Sequence, residues 1–213
     1  MTEKRYTQEA LELRVPPHSE ILNQVAKEVD PATITSPEIQ ADIGRLFLVA
    51  YGRQGDDRYP TLVGLAAPQI GILKRIVLIG MNPVSGGEQP ELQAFINPVI
   101  IARSEEMVEG RESCYSSSRV SGIVERHKWI TLQGYDQFGN QTTPTLEDFP
   151  ARVGQHELHH LDGIRFPDLI TDDNHLHWVE EDEFGDYRQF WKDWPTLCPR
   201  SRWEDIKAGR FET

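Results

Sequence analysis

The sequence predicts one domain of mixed helices and strands, an arrangement compatible with the α+β class, followed by a tail. Three observations support this. One segment has apolar residues at helical spacing, three segments are rich in isoleucine and valine, and a second helical segment follows them. A length of 213 residues with 38% hydrophobic residues is sufficient for one folded core.

The first helix is expected over residues 37–53. Ser36 suits an N-cap and Pro37 suits the first turn. Behind them, apolar residues recur every three or four positions: Ile39, Ile43, Leu46, Phe47, Ala50 and Tyr51. A polar loop over 53–60 is expected to follow.

The remaining elements lie further along the chain. Strands are predicted over residues 74–80, 92–101 and 129–136 because β-branched residues are concentrated there. Residues 137–140 have the composition of a turn. The second helix is expected to begin near Asp148 and to end near Gly163, since glycine favours a helix C-terminus.

Charge and hydropathy exclude several classes of function. The formal net charge is −12, whereas proteins that bind nucleic acid broadly need a basic surface. Only a weak association with the ribosome, through a local patch, is expected. The apolar runs are too short to cross a bilayer, and the first residues lack the apolar core of a secretion signal. We therefore expect a cytoplasmic protein without membrane contact, whose two cysteines, Cys114 and Cys198, are thiols.

The end of the chain differs in composition from the rest. Seven acidic residues and no lysine or arginine lie between Asp172 and Asp186, and four tryptophans lie at or beyond residue 178. So many aromatic residues are atypical of a disordered tail. We predict a catalytic domain over residues 1–170 and an acidic, tryptophan-rich extension over 171–213 that packs on it.

Metal-binding chemistry is indicated by the segment His-Glu-Leu-His-His at residues 156–160. His156 and His160 are four residues apart and therefore share one face of a helix. Two such imidazoles can chelate a metal ion, and Glu157 can handle the protons of a water molecule bound there. His159 lies about 100° around the helix from His160 and is excluded from this pair.

The third ligand must come from another segment, and five residues are candidates: Cys114, His127, His175, His177 and Cys198. An extended metalloprotease motif would need a histidine at position 166, where the chain has phenylalanine. Cys114 would complete a Cys-His-His site with an open fourth position. The acidic flanks of His175 and His177 favour a solvated loop, and Cys198 is expected to be a packing or surface thiol.

Three segments in order resemble the signature motifs of the peptide deformylases. They are Leu-Val-Gly-Leu-Ala-Ala-Pro-Gln at 62–69, Glu-Ser-Cys-Tyr-Ser at 112–116 and Gln-His-Glu-Leu-His-His-Leu-Asp-Gly at 155–163. Ile-Asn-Pro at 96–98 also recurs in that family before the second motif. The resemblance extends from about residue 13 to residue 170 and excludes the extension.

The resemblance implies an α+β fold in which antiparallel β-sheets surround a central helix that carries the HExxH motif. It implies that Cys114, His156 and His160 bind a metal ion. In the family this ion is usually Fe2+, and Zn2+, Ni2+ or Co2+ can replace it. The implied reaction is hydrolysis of the N-terminal formyl group of formyl-methionyl nascent polypeptides, which releases formate.

The resemblance also implies catalytic and substrate-binding roles. Glu157 would be the general base and acid, and the Gln69 side chain and the backbone N–H of Tyr115 would donate to the developing oxyanion. Gly64 and Leu65 would bind the substrate, with backbone groups pairing an extended peptide as an added strand.

The chain departs from the family pattern at several positions. Leu62 replaces a glycine, Tyr115 replaces a leucine, and Ser117-Ser118 replaces an apolar residue and a proline, which is expected to loosen that segment. His159 replaces an aspartate; a hydrogen bond from or to its imidazole can take the place of the carboxylate, whereas a cation there would oppose the charge of the metal. Two alternatives follow: a hydrolase of another N-formyl or amide substrate, and a non-catalytic protein that binds a partner.

Overall fold

The computed structural model describes residues 12–52, 62–82 and 91–210. The α-helices are α1 (Pro37–Gly52), α2 (Asp148–Leu161), α3 (Phe166–Leu169), α4 (Phe184–Phe190) and α5 (Arg200–Lys207). The strands are β1 (Gly64–Ala66), β2 (Ile76–Gly80), β3 (Leu92–Arg103), β4 (Met107–Ser113), β5 (Val120–His127), β6 (Trp129–Tyr135), β7 (Gln141–Thr142), β8 (Thr145–Glu147) and β9 (Leu176–Trp178). Short 3-10 turns occupy Glu20–Asn23, Pro31–Thr33, Ala67–Ile70, Tyr115–Ser117, Asp173–His175, Glu181–Glu183 and Trp191–Asp193.

Both predicted helices are confirmed. At the start of α1, the backbone N–H of Ile39 donates to Ser36 Oγ at 3.4 Å, which satisfies one of the unpaired donors of the first turn. Four of the six residues that the spacing places on the apolar face of α1 are buried, namely Ile39, Ile43, Leu46 and Ala50, whereas Phe47 is partly buried and Tyr51 is exposed. The predicted loop over 53–60 lies outside the described residues.

The three predicted strands are confirmed as β2, β3 and β6, and residues 137–140 form the turn between β6 and β7. Strands β4 and β5 were not predicted. Their sequences carry charged residues inside the strand, among them Glu112 and Arg126, which hides the alternation of apolar and polar residues. These two charged side chains are buried and paired with each other.

The named strands form two antiparallel sheets. In the larger sheet the order is β1-β2-β3-β6-β7, and β8 also pairs with β6. In the smaller sheet the order is β4-β5-β9. Among the described residues, β1 and β4 are edge strands, so each has one side open to another strand.

Helix α2 lies between the two sheets. Along β2 the residues alternate between two core clusters: Ile76 and Leu78 pack with α1 on one face, and Val77 and Ile79 pack with α2 on the other. Gly154 of α2 allows a close approach to the sheet, because an added Cβ would lie 3.2 Å from Ile130 Cδ1. The predicted α+β fold, with antiparallel sheets around the HExxH helix, is confirmed.

The residues beyond 170 pack against the smaller sheet. Strand β9 pairs with β5, and Trp203 and Ile206 of α5 are buried in a cluster with Val120 and Phe166. The division of the chain at residue 170 stays a prediction. No helix in the described ranges is both long enough and apolar enough to span a membrane.

Candidate metal centre

Three predicted ligands converge at one place in the structure. Metal-ligating atoms of Cys114, His156 and His160 all lie within 4.8 Å of one another. Cys114 Sγ is 3.4 Å from His160 Nε2. Among the described residues, this is the one group of three or more histidines, cysteines or acids with such spacing.

Local structure explains why these side chains meet. His156 and His160 occupy successive turns of α2, and their ring centroids are 4.9 Å apart. Cys114 follows the last residue of β4, in extended backbone conformation. Since β4 belongs to the smaller sheet and packs on α2 through Glu112, the end of that strand delivers the thiol to the histidine pair.

A buried carboxylate orients the first histidine. Glu112 Oε2 lies 2.9 Å from His156 Nδ1. A carboxylate accepts hydrogen bonds, so Nδ1 carries the proton and Nε2 remains for a metal. Although burial alone would lower it, hydrogen bonds with Cys114 and Glu112 raise the pKa of His156 to about 10. A metal bound at Nε2 would displace this second proton.

Two arginines hold Glu112 in place. Arg126 donates from Nε and Nη2 to the two carboxylate oxygens, at 2.8 Å each, and Arg152 donates from Nη1 at 3.0 Å. Burial would raise the pKa of Glu112, but the hydrogen bonds from Arg126 and His156 hold it far below its ordinary value. Glu112 is therefore an anion that both braces His156 and neutralises buried positive charge.

His159 is held as a neutral acceptor. Its Nδ1 lies 2.6 Å from Arg126 Nη1, and a guanidinium can only donate, so Nδ1 must carry a lone pair. Burial, followed by the positive charges of Arg126 and His156, lowers the pKa of His159 to about 4. Of the two possibilities for His159, the structure shows the hydrogen bond and not the cation, because a proton on Nδ1 would face the Arg126 guanidinium.

Glu157 is buried beside the cluster, and its exposed fraction is 4%. Burial, with the nearby charge of Glu112, raises its pKa to about 7 against the opposing charges of His156 and Arg126. Its Oε2 atom has no hydrogen-bond partner in the described part of the chain. A carboxyl group with a free oxygen and a pKa near neutrality has the properties of a general acid and base.

Gly64 allows the edge strand β1 to approach Glu157. A Cβ added at this glycine would lie 2.5 Å from Glu157 Oε1 and 2.6 Å from Val153 Cγ1. The Leu65 side chain is fully buried in the core under α1, so its backbone is the part available to a substrate. The substrate-binding roles of these two residues stay predictions.

Gln69 is fixed at the other side of the cluster. Its Oε1 accepts the backbone N–H of Ala66 at 2.7 Å, which orients the amide. Its Nε2 then donates toward Cys114 Sγ at 3.3 Å and toward Ser116 Oγ at 3.1 Å. The amide is almost fully buried and cannot titrate, so it presents a permanent donor beside the thiol.

The substitutions after Cys114 are accommodated by hydrogen bonds. The Tyr115 hydroxyl donates to the Gln69 carbonyl at 3.1 Å and so connects two motif segments instead of reaching the metal cluster. Ser117 Oγ lies 2.7 Å from the Cys114 carbonyl and 3.0 Å from the Val120 carbonyl. The expected loosening is wrong for Ser117, whose side chain is buried and bridges the turn.

The other ligand candidates lie away from the cluster. His177 is buried in β9 and contacts the Tyr187 hydroxyl and the Asn174 carbonyl, so the expected solvated loop is wrong at this position. Cys198 is buried in the apolar cluster of the extension, and His127 Nδ1 contacts the Ser104 carbonyl.

A separate cavity of about 730 Å³ lies on another side of α2. Its lining includes His159, Arg126 and Leu158 but none of the three clustered ligand residues. The lining combines both charge signs with apolar side chains, and nothing in it points to a particular ligand.

The sequence matches a known family over most of its length. The family model described as polypeptide deformylase matches residues 12–175. The chain belongs to this family. The match spans the metal cluster, Gln69 and Glu157, and it ends inside the extension, at the 3-10 turn before β9.

Individual polypeptide deformylase relatives agree with this assignment. The peptide deformylase of Levilactobacillus brevis is 36% identical over 161 residues, which cover 72% of this chain and 86% of the relative. Peptide deformylase 2 of a Nostoc species is 38% identical over 125 residues, which cover 57% of this chain and 69% of the relative.

Solved peptide deformylase structures share the fold. The class I type b peptide deformylase of Acinetobacter baumannii superimposes with a TM-score of 0.65 and 29% identity, covering 74% of this chain and 97% of that one. The enzyme of Legionella pneumophila gives a TM-score of 0.62 and 30% identity, covering 74% and 85% of the two chains.

The sequence predicts no role for some residues of this site. Glu112 stands in the second motif without an assigned role, and its partners Arg126 and Arg152 lie outside the three motifs. A usable signal exists for Glu112, because in an extended strand it points to the same face as Cys114 two residues later. No comparable local signal identifies the two arginines.

Proposed function

We propose that this chain is a metal-dependent hydrolase that removes the N-terminal formyl group from formyl-methionyl nascent polypeptides and releases formate. The observation that carries the proposal is the convergence of Cys114, His156, His160, Glu157 and Gln69 in a member of the polypeptide deformylase family. A non-catalytic binding protein would have no use for a buried carboxyl group beside three clustered ligands.

The metal proposed for Cys114, His156 and His160 is Fe2+, with Zn2+, Ni2+ or Co2+ as substitutes. One thiolate and two imidazoles suit these ions, and the fully buried His160 has a pKa well below its ordinary value, first because of burial, so it is a neutral ligand. When bound, the ion supplies Lewis acidity, which polarises the formyl carbonyl and makes water easier to deprotonate.

Glu157 is proposed to move the protons. Its unpartnered Oε2 accepts a proton from the attacking water, and the same carboxyl group then delivers that proton to the leaving amine. A pKa of about 7 makes both transfers accessible near neutral pH. Burial of the group excludes bulk water that would compete for the proton.

Gln69 and the backbone N–H of Tyr115 are proposed to stabilise the oxygen that gains charge. The bond between Gln69 Oε1 and Ala66 holds the amide in one orientation, with Nε2 directed to the side of Cys114. Donors fixed before the reaction need no reorganisation as charge develops, and this is their main catalytic advantage.

The edge strand β1 is proposed to bind the substrate backbone. Gly64 and Leu65 lie in β1, beside Glu157, and among the described residues β1 pairs with β2 alone. An extended peptide can add to such an edge as a further strand. A structure of the Acinetobacter baumannii peptide deformylase is bound to Met-Ala-Ser, a peptide of the required kind.

The test is formate release from formyl-Met-Ala-Ser by anaerobically purified protein loaded with Fe2+ or Ni2+. Replacing Glu157 with alanine is expected to lower kcat by a factor of about 10²–10⁴, because general acid–base catalysis is lost, while metal content is unchanged. No turnover by the loaded wild type would reject this substrate, and a panel of other N-formyl compounds would then test the alternative hydrolase.

Contact with the ribosome is proposed to be weak, and the proposed location is the cytoplasm, where formylated nascent chains are made. Three of the basic side chains near the end of the chain are paired with acids: Arg200 with Asp173, Lys207 with Asp168, and Arg210 with Asp205. Such pairing reduces the charge that the extension can offer to ribosomal RNA.

A further inference from the structure

The C-terminal extension packs against the segment that carries the proposed ligand Cys114. Helix α5 packs on the turn Tyr115–Ser117, which directly follows Cys114. Trp203 of α5 is fully buried in an apolar cluster with Phe166, and Cys114 packs against the same cluster. The extension therefore contributes the wall behind one of the proposed ligands.

Trp203 also fixes the segment that supports a second ligand. Its indole Nε1 donates to Asp168 Oδ1 at 2.7 Å, and the Arg165 guanidinium lies over its ring at 4.7 Å. Asp168 and Arg165 flank Phe166 in the chain. The Phe166 ring in turn stacks on the His156 imidazole, with centroids 5.9 Å apart and an angle of 29° between the planes.

The contacts of Arg165 make this support rigid. Its guanidinium is almost fully buried and donates to the Pro17 carbonyl at 2.6 Å and to Asn23 Oδ1 at 2.8 Å. Trp203 is thus held between a fixed cation and a fixed carboxylate. Both partners of the indole belong to the segment that carries Phe166, since Arg165 directly precedes the short helix α3 and Asp168 lies within it.

We propose that Trp203 is a positioning residue for the metal centre, acting through Phe166 on His156 and through the shared apolar cluster on Cys114. The inference rests on the proposed metal site. It assigns to the extension a role inside the enzyme: the last helix sets the geometry of two of the three ligands. Groups beyond the ligands that orient them commonly change metal affinity by 10–100-fold when they are replaced.

The experiment uses the full chain with Co2+ as the probe. Metal affinity is measured by competition with a chelator, and the visible and thiolate charge-transfer spectrum is recorded at saturating Co2+. Trp203→Leu is expected to weaken affinity about 10–100-fold and to change the spectrum. Trp203→Phe retains an aromatic ring, so its Co2+ affinity and spectrum are expected to lie between those of Trp203→Leu and the wild type. Loss of folded protein alone would leave the spectrum of the loaded fraction unchanged.

Phe190→Leu is the matched control, because Phe190 lies in the same extension but is 60% exposed. A folded Trp203→Leu protein with wild-type affinity and spectrum would overturn the inference. If that variant does not fold, Phe166→Leu removes the ring on His156 directly, and wild-type behaviour there would also overturn it. If the wild type itself binds no Co2+, the proposed metal centre fails instead.

Discussion

Replacing Glu112 with glutamine tests whether one buried carboxylate supports both the fold and the metal centre. Four hydrogen bonds converge on this group: two from Arg126, one from Arg152 and one from His156. Glutamine has nearly the same shape but no charge, and its amide nitrogen cannot accept a hydrogen bond. The variant therefore removes the counter-charge with little change in volume.

The expected loss of stability follows from the burial of the partners. The side chains of Arg126 and Arg152 are only 3% and 12% exposed, so without Glu112 both guanidinium charges are poorly compensated. Removing one partner of a buried ion pair costs about 3–5 kcal/mol. Because glutamine keeps one accepting oxygen, we expect about 3 kcal/mol, equivalent to a fall in Tm of roughly 6–12 °C for a chain of this size.

The effect should depend on pH in a defined direction. The folded-state pKa of Glu112 lies below its ordinary value of 4.5, since hydrogen bonds from Arg126 and His156 outweigh the effect of burial. The unfolded chain therefore binds the proton first as the pH falls. The contribution of Glu112 is complete above about pH 5 and declines below the ordinary pKa, so the difference between wild type and variant should shrink on acidification.

The assay is urea unfolding followed by far-UV circular dichroism at pH 7 and at several values below pH 5, with a parallel measurement of Co2+ affinity. Affinity should fall about 10–100-fold, because the single oxygen of glutamine cannot fill both carboxylate positions and a neutral amide holds His156 less firmly. Glu109→Gln on the exposed face of β4 is the control and should stay within about 0.5 kcal/mol of the wild type. A stable Glu112→Gln protein with wild-type metal affinity would refute the reasoning.

Two further predictions concern the substrate edge and the extension. Gly64→Ala should lower kcat/KM for formyl-Met-Ala-Ser by about 10²-fold, because the new methyl group displaces the Glu157 carboxylate; an unchanged value in a steady-state formate assay would contradict this. Burial lowers the pKa of His177 in the folded chain. As the pH falls below about 6.5, the unfolded chain therefore binds a proton before the folded chain does, and the free energy of unfolding decreases. Urea unfolding followed by tryptophan fluorescence from pH 7.5 to 5.5 should show this fall in the wild type and a smaller one in His177→Gln; equal slopes would contradict it.

The parts of the site that could be predicted depend on short sequence distances. Helical spacing alone identifies His156 and His160 as a pair, with Glu157 beside them. The choice of Cys114 among several third ligands required the resemblance to a family, because no local rule connects a residue at the end of one strand to a helix more than forty residues later. The structure brings these residues together through the packing of the smaller sheet on α2.

The supporting residues were less predictable because their signals are ambiguous. Arg126 and Arg152 are charged residues within a strand and a helix, where exposed arginines are common, and only the fold shows that both point at Glu112. The tryptophans of the extension predict that it packs on the rest of the chain, but no local pattern indicates that Trp203 in particular is buried behind the metal centre.

His159, at a position where the resemblance implies an aspartate, illustrates what the network around the proposed metal site requires. Arg126 has three donors to satisfy here, and Glu112 accepts only two of them. The third needs an acceptor, and a neutral imidazole supplies one as well as a carboxylate does. A neutral imidazole in place of a carboxylate does not leave the Arg126 cation unpaired, because Arg126 already forms a bidentate pair with Glu112. The donor–acceptor pattern is therefore preserved while one charge is lost, and this explains why the ligands and Glu157 can keep their arrangement in a chain that departs from the family at this position.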